Sequence, residues 1–219
     1  MPALRNAALA WIFSFCAATA SVTVANAEPV IIAALGDSLT AGYGLAPEEG
    51  LVPQLQAWLL AQGEEVSLIN AGVSGDTTAG GLSRLDWTLT DDVQALIVTL
   101  GGNDMLRGLP PAESRANLDA IVKGATDRGL PVLIVAMSAP GNYGPDYKAE
   151  FDAIYPDLAK TYGTLLFANF FAPLMTETQD PAQLQSFMQA DGIHPNAEGA
   201  KRIAAGLGPS VQQLVAAAR

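Results

Sequence analysis

Three features of this 219-residue chain predict an α/β fold, a parallel sheet covered by helices on both faces. Short continuous apolar runs alternate with longer amphipathic ones, the pattern of strands buried on both sides and joined by crossover helices. Glycines fall just past the helical segments, where a left-handed cap is wanted. No internal repeat, low-complexity tract or linker interrupts the alternation, so it reads as one domain. Half of the residues are hydrophobic and 15% are charged, enough apolar material for a single core.

Residues 1–27 stand outside that domain. Arg5 is the only charge before Glu28, an apolar run spans 7–20, and a small-residue stretch ends in Ala25-Asn26-Ala27. That order is a secretory signal with an A-x-A cleavage site. The apolar core is short for a retained membrane anchor. Phe13-Ser14-Phe15, ahead of Cys16, lacks the small residues of a lipidation site. The expectation is cleavage after Ala27, a domain over 28–219, and an unanchored product, periplasmic or secreted.

Taken in order, strands are predicted at 30–35, 66–70, 95–100, 132–137 and 164–167. Helices are predicted at 51–62, 77–89, 112–127, 147–162 and 197–217. Gly63, Gly129 and Gly163 follow three of these helices as caps, and Pro156 is expected to kink or split the fourth.

Charge and residue content exclude several functions. A net charge of −11 argues against nucleic acid and against docking on anionic lipid. Loss of the leader removes Cys16, the only cysteine, and leaves one histidine. No disulfide, cysteine nucleophile, zinc site or cofactor is expected.

The candidate chemistry follows the strands. Gly36-Asp37-Ser38-Leu39-Thr40 comes after the first, the segment from Asn70 to Thr78 after the second, and Gly101-Gly102-Asn103-Asp104 after the third. In an open parallel sheet, ligands bind at the carboxyl ends of the strands. A strand order of 2-1-3-4-5 makes these three loops neighbours. Ser38 can then stand exposed above the sheet, Gly72 can offer an unobstructed N–H, and Asn103 is a neutral side-chain donor. With the N–H of Ser38 they make a three-donor oxyanion hole. Singly, these residues could as well cap a helix, serve a turn or hold a loop; together after consecutive strands they are hard to explain that way. Ser74 is the rival nucleophile, and no Gly-x-Ser-x-Gly elbow exists.

Asp191-Gly192-Ile193-His194 supplies the base, because His194 is the only histidine. An acid three residues upstream, with glycine between, can reach Nδ1, fix the tautomer and leave Nε2 for the nucleophile's proton.

These four blocks, in this order and over most of the chain after residue 27, resemble the SGNH (GDSL) hydrolases. Within them the likeness is to the thioesterase I, lysophospholipase L1 and arylesterase group, through residues 101–110 and 142–147. The resemblance implies a three-layer α/β/α, flavodoxin-like domain with a five-stranded parallel sheet in the order 2-1-3-4-5. It implies Ser38 as nucleophile, His194 as base and Asp191 as orienting acid, with oxyanion donors from Ser38, Gly72 and Asn103.

Leu106, Leu109, Pro110, Pro140 and Tyr143 follow strand ends and could wall an apolar trough beside Ser38, or belong to the core. Such a trough suits acyl or aryl groups, so esters, acyl thioesters or lysophospholipids are the expected substrates of a monomeric enzyme. A carbohydrate O-deacetylase is the enzyme alternative, and a non-catalytic exported fatty-acid carrier is the alternative from another class. Nothing suggests a peptide-binding cleft.

Overall fold

A computed structural model of the chain describes residues 28–175 and 181–219. The predicted leader lies outside the described residues. Five parallel strands form the sheet: β1 (Val30–Gly36), β2 (Val66–Gly72), β3 (Ala95–Thr99), β4 (Val132–Val135) and β5 (Leu165–Phe167). Their order is β2-β1-β3-β4-β5, as the resemblance implies.

β1, β3 and β4 are wholly or almost wholly buried, which is why they read as unbroken apolar runs. β2 and β5 are only partly covered, because they are the edges of the sheet.

Right-handed crossovers place the helices. The step from β1 to β2 runs one way along the sheet and carries α2 (Leu51–Ala61). The later steps run the other way and carry α3 (Thr78–Ser83), α6 (Pro111–Thr126) and α7 (Pro145–Tyr162) to the opposite face. There α6 packs against both α3 and α7. After the short α8 (Pro181–Ser186), the last helix, α9 (Ala197–Ala218), lies against α2, and Gly208 lets Trp58 sit directly on its backbone.

Two expectations need correction. The segment predicted as one helix over 77–89 is two short ones, α3 and α4 (Leu85–Thr88), interrupted at Arg84. Pro156 does not split α7, which runs unbroken through it. Phe151, Ile154, Tyr155 and Leu158 on either side are buried, and their packing outweighs the local cost of proline. Gly63, Gly129 and Gly163 all have positive φ, as caps require. Among the described residues, no helix is long and apolar enough to cross a membrane.

Candidate active site

Short helices at the carboxyl ends of the strands carry the polar residues. α1 (Ser38–Ala41) starts two residues after β1, and Asp37 caps it by accepting the Leu39 N–H at 3.0 Å. That cap makes Ser38 the first helical residue, with its hydroxyl at the end of the sheet. His194 Nε2 lies 2.9 Å from Ser38 Oγ, and His194 Nδ1 lies 2.7 Å from Asp191 Oδ2.

Asp191 is held by its own turn. Its Oδ1 accepts the N–H groups of Ile193 at 2.9 Å and His194 at 3.0 Å, and Gly192 supplies the positive φ between them. These bonds, with the His194 N–H foremost and the imidazole next, hold the Asp191 pKa down to about 2. An ionised Asp191 at neutral pH favours the Nδ1–H tautomer and leaves the Nε2 lone pair facing the serine hydroxyl. The ring of Tyr43 packs on the imidazole, 4.6 Å between centroids.

Asn103 sits in α5 (Gly102–Leu106). Its Nδ2 donates to the Asp76 carbonyl at 2.9 Å and more weakly to Asp37 Oδ2 at 3.3 Å. The second hydrogen is the one it can turn to a developing oxyanion. Burial raises the pKa of Asp37 to about 6, against the opposing pull of the Leu39 N–H and of nearby His194.

Gly72 is not part of this gathering. Its N–H donates to Asn70 Oδ1 at 3.0 Å, and a Cβ there would strike the backbone of Thr40 and Ala41. The missing side chain serves the close approach of β2 to α1. Ser74 and Gly75 line the crevice instead. Among the described residues, neither the Ser38 nor the Gly75 N–H has an acceptor. Gly75 has φ +86, and its carbonyl is fixed by Arg107 Nη2 at 2.7 Å.

Residues 34–202 match the GDSL-like Lipase/Acylhydrolase family. The chain belongs to that family. It is 36% identical over 207 residues to esterase TesA of Pseudomonas aeruginosa, covering 94% of this chain and 99% of that one. It is 35% identical over 193 residues to the thioesterase 1/protease 1/lysophospholipase L1 of Escherichia coli K12, covering 87% and 86%. Among solved structures, that of AlinE4, an SGNH-hydrolase family esterase, aligns with a TM-score of 0.69 at 40% identity, covering 85% and 97%.

The acylhydrolase site opens into a cavity of about 460 Å³ beside Ser38, Asn103 and His194. Leu39, Met105, Leu106, Met137, Phe171 and Met188 make much of its wall, with Leu184 and Ile193 completing the far side. Three methionines in one wall make it adaptable to substrate shape. Of the five residues predicted to wall the trough, only Leu106 reaches it. Leu109 turns its carbonyl to the Tyr147 hydroxyl, and Pro110 and Pro140 cap the helical turns that follow them. Tyr143 stands behind the wall, packed by Gly108 and Tyr147 and donating to the Leu106 carbonyl at 3.3 Å.

Sequence reasoning missed Met137, Phe171, Leu184, Met188 and Ile193. Met188 stands three residues before the Asp-x-x-His block and Ile193 lies inside it, and Met137 closes the fourth predicted strand, which is the only signal they carry.

Proposed function

We propose that this acylhydrolase cleaves carboxylic esters and acyl thioesters through an acyl-Ser38 intermediate. The observation that carries the reading is the Ser38–His194–Asp191 chain at 2.9 and 2.7 Å, opening directly into an apolar cavity.

His194 Nε2 takes the Ser38 proton as Oγ attacks the carbonyl carbon, forming a C–O bond and an oxyanion. The N–H groups of Ser38 and Gly75 and the Asn103 amide donate to that oxygen, so Gly75 takes the part expected of Gly72. Collapse breaks the bond to the leaving alcohol or thiol, and the imidazolium returns its proton to that group. Water then attacks the acyl-enzyme with His194 again as base, and the carboxylic acid and free Ser38 are regenerated. Ionised Asp191 stabilises the imidazolium in both halves.

A cavity of about 460 Å³ walled by methionine, leucine and phenylalanine is far larger than an acetyl group and favours long acyl or aryl chains over the deacetylase reading. A converged serine, imidazole and carboxylate has no use in a passive carrier. Leader cleavage after Ala27 and export to the periplasm or medium, supported by the sequence of residues 1–27, and a monomeric state complete the proposal.

The test is a hydrolysis panel on residues 28–219, with Ser38→Ala as blank. It spans p-nitrophenyl acyl esters from acetyl to palmitoyl, the matching acyl-CoA thioesters, a lysophospholipid and an acetylated sugar. Serine-dependent turnover that rises with acyl length is expected. Turnover confined to acetyl groups would move the enzyme to the deacetylases, and none at all would restore the carrier.

A further inference from the structure

Ser38 and His194 come from opposite ends of the chain, and their 2.9 Å contact must be set by something other than local sequence. Tyr43 N donates to the Ser38 carbonyl at 3.1 Å, which ties the loop after α1 to the serine. The Tyr43 carbonyl in turn accepts Gln189 Nε2 at 2.7 Å. Gln189 N donates to the His194 carbonyl at 2.7 Å. These three bonds run from the backbone of the serine to that of the histidine, and the Oγ···Nε2 contact closes the ring.

Gln189 is bound to the histidine loop at two further points. Its Nε2 also donates to the Pro195 carbonyl at 2.9 Å, and its own carbonyl accepts the Gly192 N–H at 3.0 Å. Gly44 has φ +76, and a Cβ there would collide with Gln189 Oε1, so a glycine at that position makes room for the amide. The Asp191 turn, by contrast, is closed by the Ile193 and His194 N–H groups and needs nothing from the glutamine side chain.

We propose that the Gln189 side-chain amide is a positioning residue that sets the Ser38–His194 distance, while the Asp191–His194 pair stands without it. The proposal rests on Ser38 being the nucleophile and His194 its base. Losing both N–H donors removes the hydrogen bond that joins the histidine loop to the Tyr43 loop and leaves the Tyr43–imidazole ring contact to hold them, and a displacement of about 1 Å between reacting groups can cost about a hundredfold in rate.

The experiment measures the rate at which an alkyl fluorophosphonate labels Ser38, followed by intact mass, with Ser38→Ala as blank. Gln189→Met keeps the length of the side chain and removes both donors; Gln189→Glu keeps its shape and presents oxygen to the two carbonyls. Both are expected to label about ten- to a hundredfold more slowly than wild type once rates are corrected for the fraction folded. KM for a short ester should stay within about threefold, and the low-field Nδ1 proton of His194 should persist in the NMR spectrum. Wild-type labelling rates in a folded variant would overturn the proposal. So would loss of the Nδ1 proton, since Gln189 would then be supporting the Asp191–His194 pair. Failure of the wild-type protein itself to label would remove Ser38 as nucleophile, and the proposal with it.

Discussion

Replacing Asp37 by asparagine keeps the shape of the side chain and removes a charge that the fold holds at a cost. Asp37 is only 2% exposed, and burial raises its pKa from 3.8 to about 6. The native state therefore binds this proton more tightly than the unfolded chain does. Stability must fall as pH rises from about 4 to about 6, and the loss persists at higher pH. A shift of about 2 units corresponds to about 3 kcal/mol in full, of which about 2 kcal/mol lies between pH 4 and pH 7.5. Asparagine does not titrate, so the stability of Asp37→Asn relative to wild type is expected to rise by about 2 kcal/mol over that interval. Contributions that do not titrate, such as the cap on the Leu39 N–H or the changed contact with Asn103, cancel in the comparison. Urea unfolding of both proteins at both pH values makes the measurement. A relative stability constant to within about 0.5 kcal/mol would show that Asp37 is not held away from its ordinary ionisation, and would refute the reasoning.

Ser38→Ala and His194→Ala are each expected to abolish almost all turnover in the ester assay, with melting curves still cooperative. Asn103→Ala should lower kcat by about 10²–10³ if its amide reaches the oxyanion, and near-normal kcat would remove that assignment. The two glycines separate by where their substitution acts. Gly72→Ala drives a methyl into the backbone of α1 and should show first as a lowered melting temperature. At Gly75 the nearest atom to an added Cβ is Arg107 Nη2, 3.8 Å away, so space is not limiting. Gly75→Ala disturbs only a positive-φ turn and its N–H, and kcat should fall further than stability does.

The strand order and the long helices were legible because each depends on local patterns: apolar runs for β1, β3 and β4, glycine caps after Gln62, Arg128 and Tyr162. The convergence of Ser38, His194 and Asp191 was legible because the chain has one histidine and one turn holds it beside Asp191. What failed depended on distant partners. Whether Gly72 or Gly75 faces the crevice turns on where β2 stops, and β2 continues through Gly72 because it stays in register with Gly36. The chain can bend into the site only after that residue. The break after Ser83 was hidden for a similar reason, since Arg84 turns toward a carbonyl 48 residues earlier in the chain. The cavity wall was half read. Residues 184–193 fold back onto the end of the sheet, a placement that no period or spacing in them announces.

Arg84 joins these separate points into one arrangement. At the ends of β1 and β2 the guanidinium of Arg84 supplies donors to two carbonyls, Gly36 at 2.8 Å, which also accepts the Val73 N–H at 3.0 Å, and Ala71 at 2.7 Å. Its Nε pairs with Asp76 at 2.7 Å, with both side chains about one-fifth exposed. Gly36 lies two residues before Ser38, Asp76 follows Gly75 directly, and the Asp76 carbonyl holds the Asn103 amide. One planar cation with donors on three nitrogens thus ties the backbone at the ends of β1 and β2 to the side chain of Asp76, the residue that follows Gly75 and whose carbonyl holds the Asn103 amide. A lysine could not span the same acceptors, because its single nitrogen cannot present separate donors in a fixed plane. The spacing of the donors is therefore a consequence of how the ends of β1 and β2 are closed. That is why they can be held ready without substrate, as electrostatic stabilisation of an oxyanion requires.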